Sequence, residues 1–308
     1  MMHSCNQRRM ITWSLLCLIF SLFNSILVFA SPVRNLCPPD QKDALWEFKN
    51  EFYVQEFYTY GMVVVDKKTE RWRNNTDCCS WDGVSCDSKT GKVVELDLMV
   101  GSLNGPLRSN SSLFRLQHRQ SLDLGYNNLS GILPDSIGNL KHLRVLSLGA
   151  CNFFGKVPSS LGNLSYLTDL DLSVNDFTGE LPDSMGNLKR LTELQIVATK
   201  LSGNFPLMLL NLSELTGIDL RSNQFEGVLP SNMSSLSKLE SFRISDNSFS
   251  GSIPSSLFMI PSLIRLRLER NDFSGPLDIG NVSSPSQLGV LSLGENNFDG
   301  PSRDLYRN

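Results

Sequence analysis

Glycine returns at positions 105, 131, 155, 179, 203, 227, 251, 275 and 300, at intervals of 26, then 24 six times, then 25. A self-similar unit of that length, kept over roughly two hundred residues, marks a chain that coils rather than closes on itself. Apolar residues keep the same beat. Leu140, Leu143, Leu146 and Leu148 return as Leu164, Leu167, Leu170 and Leu172, then as Leu188, Leu191, Leu194 and Ile196. The beat runs on through Leu212, Leu215, Ile218 and Leu220, through Leu236, Leu239, Phe242 and Ile244, and through Ile260, Leu263, Leu266 and Leu268.

The Leu-x-Leu alternation in each unit points two side chains inward from a short strand and their neighbours outward. Equal units stacked side by side pair these strands in parallel, building one core that no single repeat closes alone. Just past the strand stands Asn127, Asn175, Asn223, Asn247, Asn271 or Asn296. An amide there both donates and accepts, so it can satisfy backbone groups in the bend between coils. Cys151, Thr199 and Gly101 hold that slot in three coils, so Cys151 reads as a small buried residue rather than a nucleophile. A second column follows, with Leu103, Leu129, Phe153, Phe177, Leu201, Phe225, Phe249, Phe273 and Phe298. One apolar residue per coil predicts an inward spine; a ligand-binding aromatic stripe is the rival reading. The glycines suit a bend with positive φ, and Pro134, Pro158, Pro182, Pro206, Pro230 and Pro254 suit extended backbone after it.

Arg8 and Arg9 precede an uncharged run from Met10 to Ala30, and Val28-Phe29-Ala30 offers small residues for cleavage before Ser31. Residues 1–30 therefore read as a signal peptide, with a retained membrane anchor as the alternative. Cys37, Cys78, Cys79, Cys86 and Cys151 remain after it. Four of them crowd one end, which in a secreted chain predicts a disulfide framework. The rival zinc site lacks a spacer between Cys78 and Cys79, so no metal and no cofactor is expected. Seven Asn-x-Ser/Thr sequons, at Asn74, Asn110, Asn128, Asn163, Asn211, Asn232 and Asn281, also fit secretion.

The units resemble the plant-specific leucine-rich-repeat family, whose pattern is Leu-x-x-Leu-x-x-Leu-x-Leu-x-x-Asn-x-Leu/Phe-x-Gly-x-Ile-Pro. LSGILPDSIGNLKHLRVLSL and its successors match it across residues 93–308. The resemblance implies an α/β fold, a right-handed solenoid with a parallel sheet on its concave face and a disulfide-tied N-terminal cap. Residues 31–91 resemble that cap, and about nine repeats fill 92–308, the last incomplete. Asp40 is placed to cap a helix carrying Ala44, Leu45, Phe48 and Phe52 on one face. WRNNTDCCSWDGVSC (72–86) supplies Trp72, Trp81 and the cysteines; by resemblance Cys37 pairs with Cys78 and Cys79 with Cys86. Cap, repeats and leader together look most like the ectodomain of a plant receptor-like protein. That class implies recognition of a peptide, protein or acidic oligosaccharide at the cell surface, in defence or developmental signalling through a partner receptor kinase. A secreted inhibitor of microbial cell-wall enzymes, similar to polygalacturonase-inhibiting proteins, is the alternative.

Three features depart from the pattern. Arg119 occupies the core slot that Leu143 and Leu167 fill, which costs several kcal/mol unless its stem snorkels out. The eighth unit loses Ile-Pro and inserts Asn281 to Ser286. The sequence ends at Asn308 inside a coil, with no second cysteine pair or membrane span, so it reads as a fragment or truncated product, and as apoplastic taken alone.

A net charge of −3 argues against nucleic acid. Only His118 and His142 survive loss of the leader, and no nucleophile elbow, phosphate loop or metal motif occurs. Asp123, Asp171 and Asp219 recur in register, but solvated strand positions explain them better than a glycosidase pair, so no catalysis is expected. Outward positions of early coils are acidic: Glu95, Asp97, Asp123, Asp169, Asp171 and Glu193. Later coils place Arg221, Arg243, Arg265, Arg267 and Arg270 there, interrupted by Asp246 and Glu269. Arg265 and Arg267 flank inward Leu266, so both point outward, with Arg243 one strand away. Three converging forks suit a carboxylate or acidic sugar, and weakly resemble the Arg-x-Arg pair with which some plant repeat receptor kinases hold a peptide carboxylate. Solubilising charge, paired with Asp246 and Glu269, is the rival account.

Overall fold

The computed structural model describes residues 36–54, 66–277 and 287–299, with the backbone of strands Phe57–Thr59 and Met62–Val64. The leader, Asn281 and its insertion lie outside the described residues. The Leu-x-Leu segments form a ten-stranded sheet from Val84–Cys86 to Val290–Ser292. Its first pair is antiparallel and every later one parallel. Pairing holds one register, Leu122 against Leu146, Leu170 against Leu194, Phe242 against Leu266, because equal spacing never shifts the alternation. All six of these side chains are buried.

A second parallel sheet of eight strands runs along the flank, from Gly131–Ile132 to Asn297–Phe298. The sequence reading has only one sheet. The same period that aligns the leucines also brings each x-Phe-x-Gly segment beside the next, so their backbones pair too, as in Phe154 with Asp176. The phenylalanines point inward and stack, Phe153 on Phe177 at 6.2 Å and Phe225 on Phe249 at 6.1 Å, which settles the spine as core. Short 3₁₀ turns follow, such as Ser159–Asn163, with Pro158 extended at the entrance (φ −72°, ψ 138°). A Cβ on Gly162 would lie 2.3 Å from the Ser184 carbonyl oxygen, so only glycine lets these turns approach.

The asparagine ladder ties coil to coil. Asn175 Nδ2 donates to the carbonyls of Leu148 and Leu172 at 2.8 and 2.9 Å, while its Oδ1 accepts from Cys151 N and Phe153 N. Asn127, Asn223, Asn247, Asn271 and Asn296 repeat the pattern. The residue before each slot sits at positive φ whether or not the slot holds asparagine, even branched Val100 (59°) and Val174 (54°), which ordinarily avoid it.

The cap is a helix, α1, at Pro39–Asn50, burying Ala44, Leu45 and Phe48; Phe52 is buried just beyond it. Asp40 does not cap it. The N-cap is Pro38, without a side-chain bond, because Pro39 already occupies the first turn, where its missing N–H costs nothing. Asp77 caps a separate short turn at Cys78–Ser80, accepting from Cys79 N, and also accepts from Cys37 N. Disulfides join Cys37 to Cys78 and Cys79 to Cys86, and Trp72 stacks on Trp81 at 4.9 Å.

Arg119 does not snorkel. It is fully buried, with one bond from Nη2 to the Leu113 carbonyl at 2.8 Å and no partner for Nε or Nη1. Burial pushes its pKa down to about 9.

Candidate functional site: the outward face of the long sheet

The sheet register turns the outward residues into straight columns. One reads Asp97, Asp123, Ser147, Asp171, Gln195, Asp219, Arg243, Arg267, Ser292. Its neighbour reads Glu95, Ser121, Val145, Asp169, Glu193, Gly217, Ser241, Arg265, Val290. The early carboxylates are held by their own backbone: Asp123 accepts from Gly125 N and Asp171 from Ser173 N, each at 2.8 Å. Burial, with Asp97 and Asp171 nearby, raises the pKa of Asp123. Cys151 is buried, and its thiol is pushed up to about 12, so it carries no nucleophilic chemistry.

The five arginines are not alike. Asp219, itself buried, takes Arg221 through two bonds of 2.8 Å and Arg243 at 3.3 Å. Arg243 Nε also donates to Ser241 Oγ at 3.0 Å. Arg270 pairs with Asp246. Arg243 therefore leans toward the preceding coil rather than joining three converging forks. Glu269 makes no ion pair among the described residues, and its Oε2 is buried without a partner. That leaves Arg265, exposed, and Arg267, half-exposed, side by side and without a carboxylate partner among the described residues.

The sequons Asn74, Asn110, Asn163, Asn211 and Asn232 are exposed. Asn128 is half-buried, its Oδ1 accepting from Asn152 Nδ2 at 2.7 Å. Sequence reading missed a lateral row, His118, His142 and Tyr166, whose rings stack about 6 Å apart. The 24-residue spacing of these rings was the available signal.

This architecture, a capped parallel coil with an asparagine ladder, defines a leucine-rich-repeat solenoid. The family models agree: "Leucine-rich repeat region" matches residues 92–295 and "Leucine rich repeat N-terminal domain" matches 38–87. The chain belongs to the leucine-rich-repeat family, in the form found in plant receptor-like proteins, which are non-catalytic. Receptor-like protein 48 of Arabidopsis thaliana is 71% identical over 140 residues, which is 45% of this chain and 16% of that protein. The chain thus spans about a sixth of the length of such relatives. Among solved structures, the PEPR1–AtPEP1 complex matches with a TM-score of 0.71 and 28% identity, over 85% of this chain and 35% of that one. The Arabidopsis receptor kinase HAESA, solved with the peptide hormone IDA and the co-receptor SERK1, matches at 0.65 and 26%, over 85% and 46%.

Proposed function

We propose that this chain is the extracellular ligand-recognition portion of a plant receptor-like protein, acting in defence or developmental signalling. The carrying observation is the Arg265–Arg267 pair, two outward guanidiniums without a carboxylate partner among the described residues, whereas Arg221, Arg243 and Arg270 each have one. Such a pair suits bidentate capture of a ligand carboxylate. The likeness to HAESA, solved with a peptide hormone and a co-receptor, supports a peptide as the ligand and signalling through a partner receptor. The secretory route, the cell surface and glycosylation at the exposed sequons belong to the same reading.

The test is to present the secreted chain to peptides with free C-termini, to acidic oligosaccharides and to microbial polygalacturonases. Saturable peptide binding without effect on the enzymes supports the receptor. Enzyme inhibition without peptide binding replaces it with the inhibitor class.

A further inference from the structure

The lateral row at the other end of the sheet borders an open groove of about 380 Å³. His118 and His142 stack at 6.1 Å with planes 18° apart, Tyr166 follows at 6.0 Å, and Arg190 covers the tyrosine ring at 4.6 Å. Lys92 Nζ stands 3.2 Å from His118 Nε2. An ammonium has no lone pair, so the imidazole nitrogen is the acceptor. Arg144 and Asp87 complete the charged lining.

We infer that this groove is a second binding site, for an acidic oligosaccharide, separate from the Arg265–Arg267 pair. Lys92 and Arg144 supply cations for uronate carboxylates. Gln120, Thr90 and Asp87 supply the donors and acceptors that ring hydroxyls need. Around Val94 and the three rings the lining is polar or charged, and flat rings set beside hydroxyl partners are what favour a sugar over a peptide. The groove crosses successive coils, and an extended chain lying along it would meet one cationic or aromatic group per coil. Five strand steps separate the Arg144 coil from that of Arg265, about 24 Å at ordinary strand spacing, so the two sites are distinct.

The lining holds one carboxylate, Asp87. Asp87 accepts from Thr90 Oγ1, Thr90 N and Lys89 N, which lowers its pKa and keeps it ionised.

The experiment titrates an oligogalacturonate into the intact chain, beside a neutral cello-oligosaccharide and pentaglutamate. The expected result is saturable binding of the oligogalacturonate alone. Lys92→Gln with Arg144→Gln should abolish it, and Arg265→Gln with Arg267→Gln should leave it unchanged. None of these four positions is buried, and circular dichroism checks that each variant folds. No binding, binding unchanged in the Lys92/Arg144 variant, equal binding of pentaglutamate, or loss in the Arg265/Arg267 variant would each overturn the inference. It stands apart from the receptor reading, because a peptide-binding failure at Arg265 leaves these outcomes untouched.

Discussion

Asp123 and Asp219 occupy the same slot of the repeat in opposite settings. Asp123 is partly shielded from water, sits in a column with Asp97 and Asp171 and has no ion pair among the described residues; burial first, and those two carboxylates after it, make it hold its proton more tightly than usual. Asp219 sits four coils later, gripped by Arg221 and Arg243. The early coils also bury Arg119 with a single carbonyl partner, whereas the later arginines lie on the surface sheet. The backbone is the same in both halves. The repeat fixes where a side chain points, and leaves its charge compensation to whatever the neighbouring coils supply.

Breaking the contrast at its costliest point gives the largest expected effect. Arg119→Leu should raise the thermal midpoint, by an amount equivalent to several kcal/mol, by removing an uncompensated buried guanidinium and restoring an inward leucine. The folded-state pKa of about 9 lies below the unfolded value, so the penalty is full below pH 9 and eases as pH rises above it. Thermal melts at pH 7 and 10 should therefore show the variant's advantage shrinking at the higher pH. An unchanged or lower midpoint at pH 7 would show that Arg119 finds a native partner.

Asp219→Asn strips the carboxylate from the late half and leaves two half-exposed guanidiniums facing each other. Denaturant unfolding should show a loss of about 2 kcal/mol, reduced from the fully buried case by solvent screening. Asp123→Asn should do the reverse and by less. A carboxyl whose folded pKa is raised destabilises the fold once ionised, so the amide variant should be slightly more stable at pH 7. That gain should vanish as pH falls below the ordinary carboxylate range, where both side chains are neutral. A variant weaker than wild type at pH 7 would mean that the bonds from Gly125 and Ser147 outweigh the burial.

Fold and core were legible because period-24 spacing leaves one way to stack, and Asn127, Asn175 and Phe153 did what their slots required. The flank sheet was not, because each of its strands carries at most a single inward apolar residue, with no Leu-x-Leu pair to mark it. The arginine strip was legible as positions and not as partners. Column alignment places Arg243 beside Arg267, yet a long side chain reaches its own coil or the next, and Asp219 drew Arg243 away. Asp40 misled for a similar reason, since its charge suited a cap that Pro38 and Pro39 had already displaced by two residues.

The central claim is that Arg265 and Arg267 hold a ligand carboxylate. Its most direct test selects peptides that bind the chain from a library with free C-termini, then measures each binder as the free acid and as the C-terminal amide. The same titrations are repeated on Arg265→Gln with Arg267→Gln. The account predicts that amidation and the double substitution each weaken binding by at least about tenfold, and together no more than either alone. It also predicts an unchanged thermal midpoint, since neither arginine has an ion pair to lose among the described residues. Binders indifferent to both changes would contradict it.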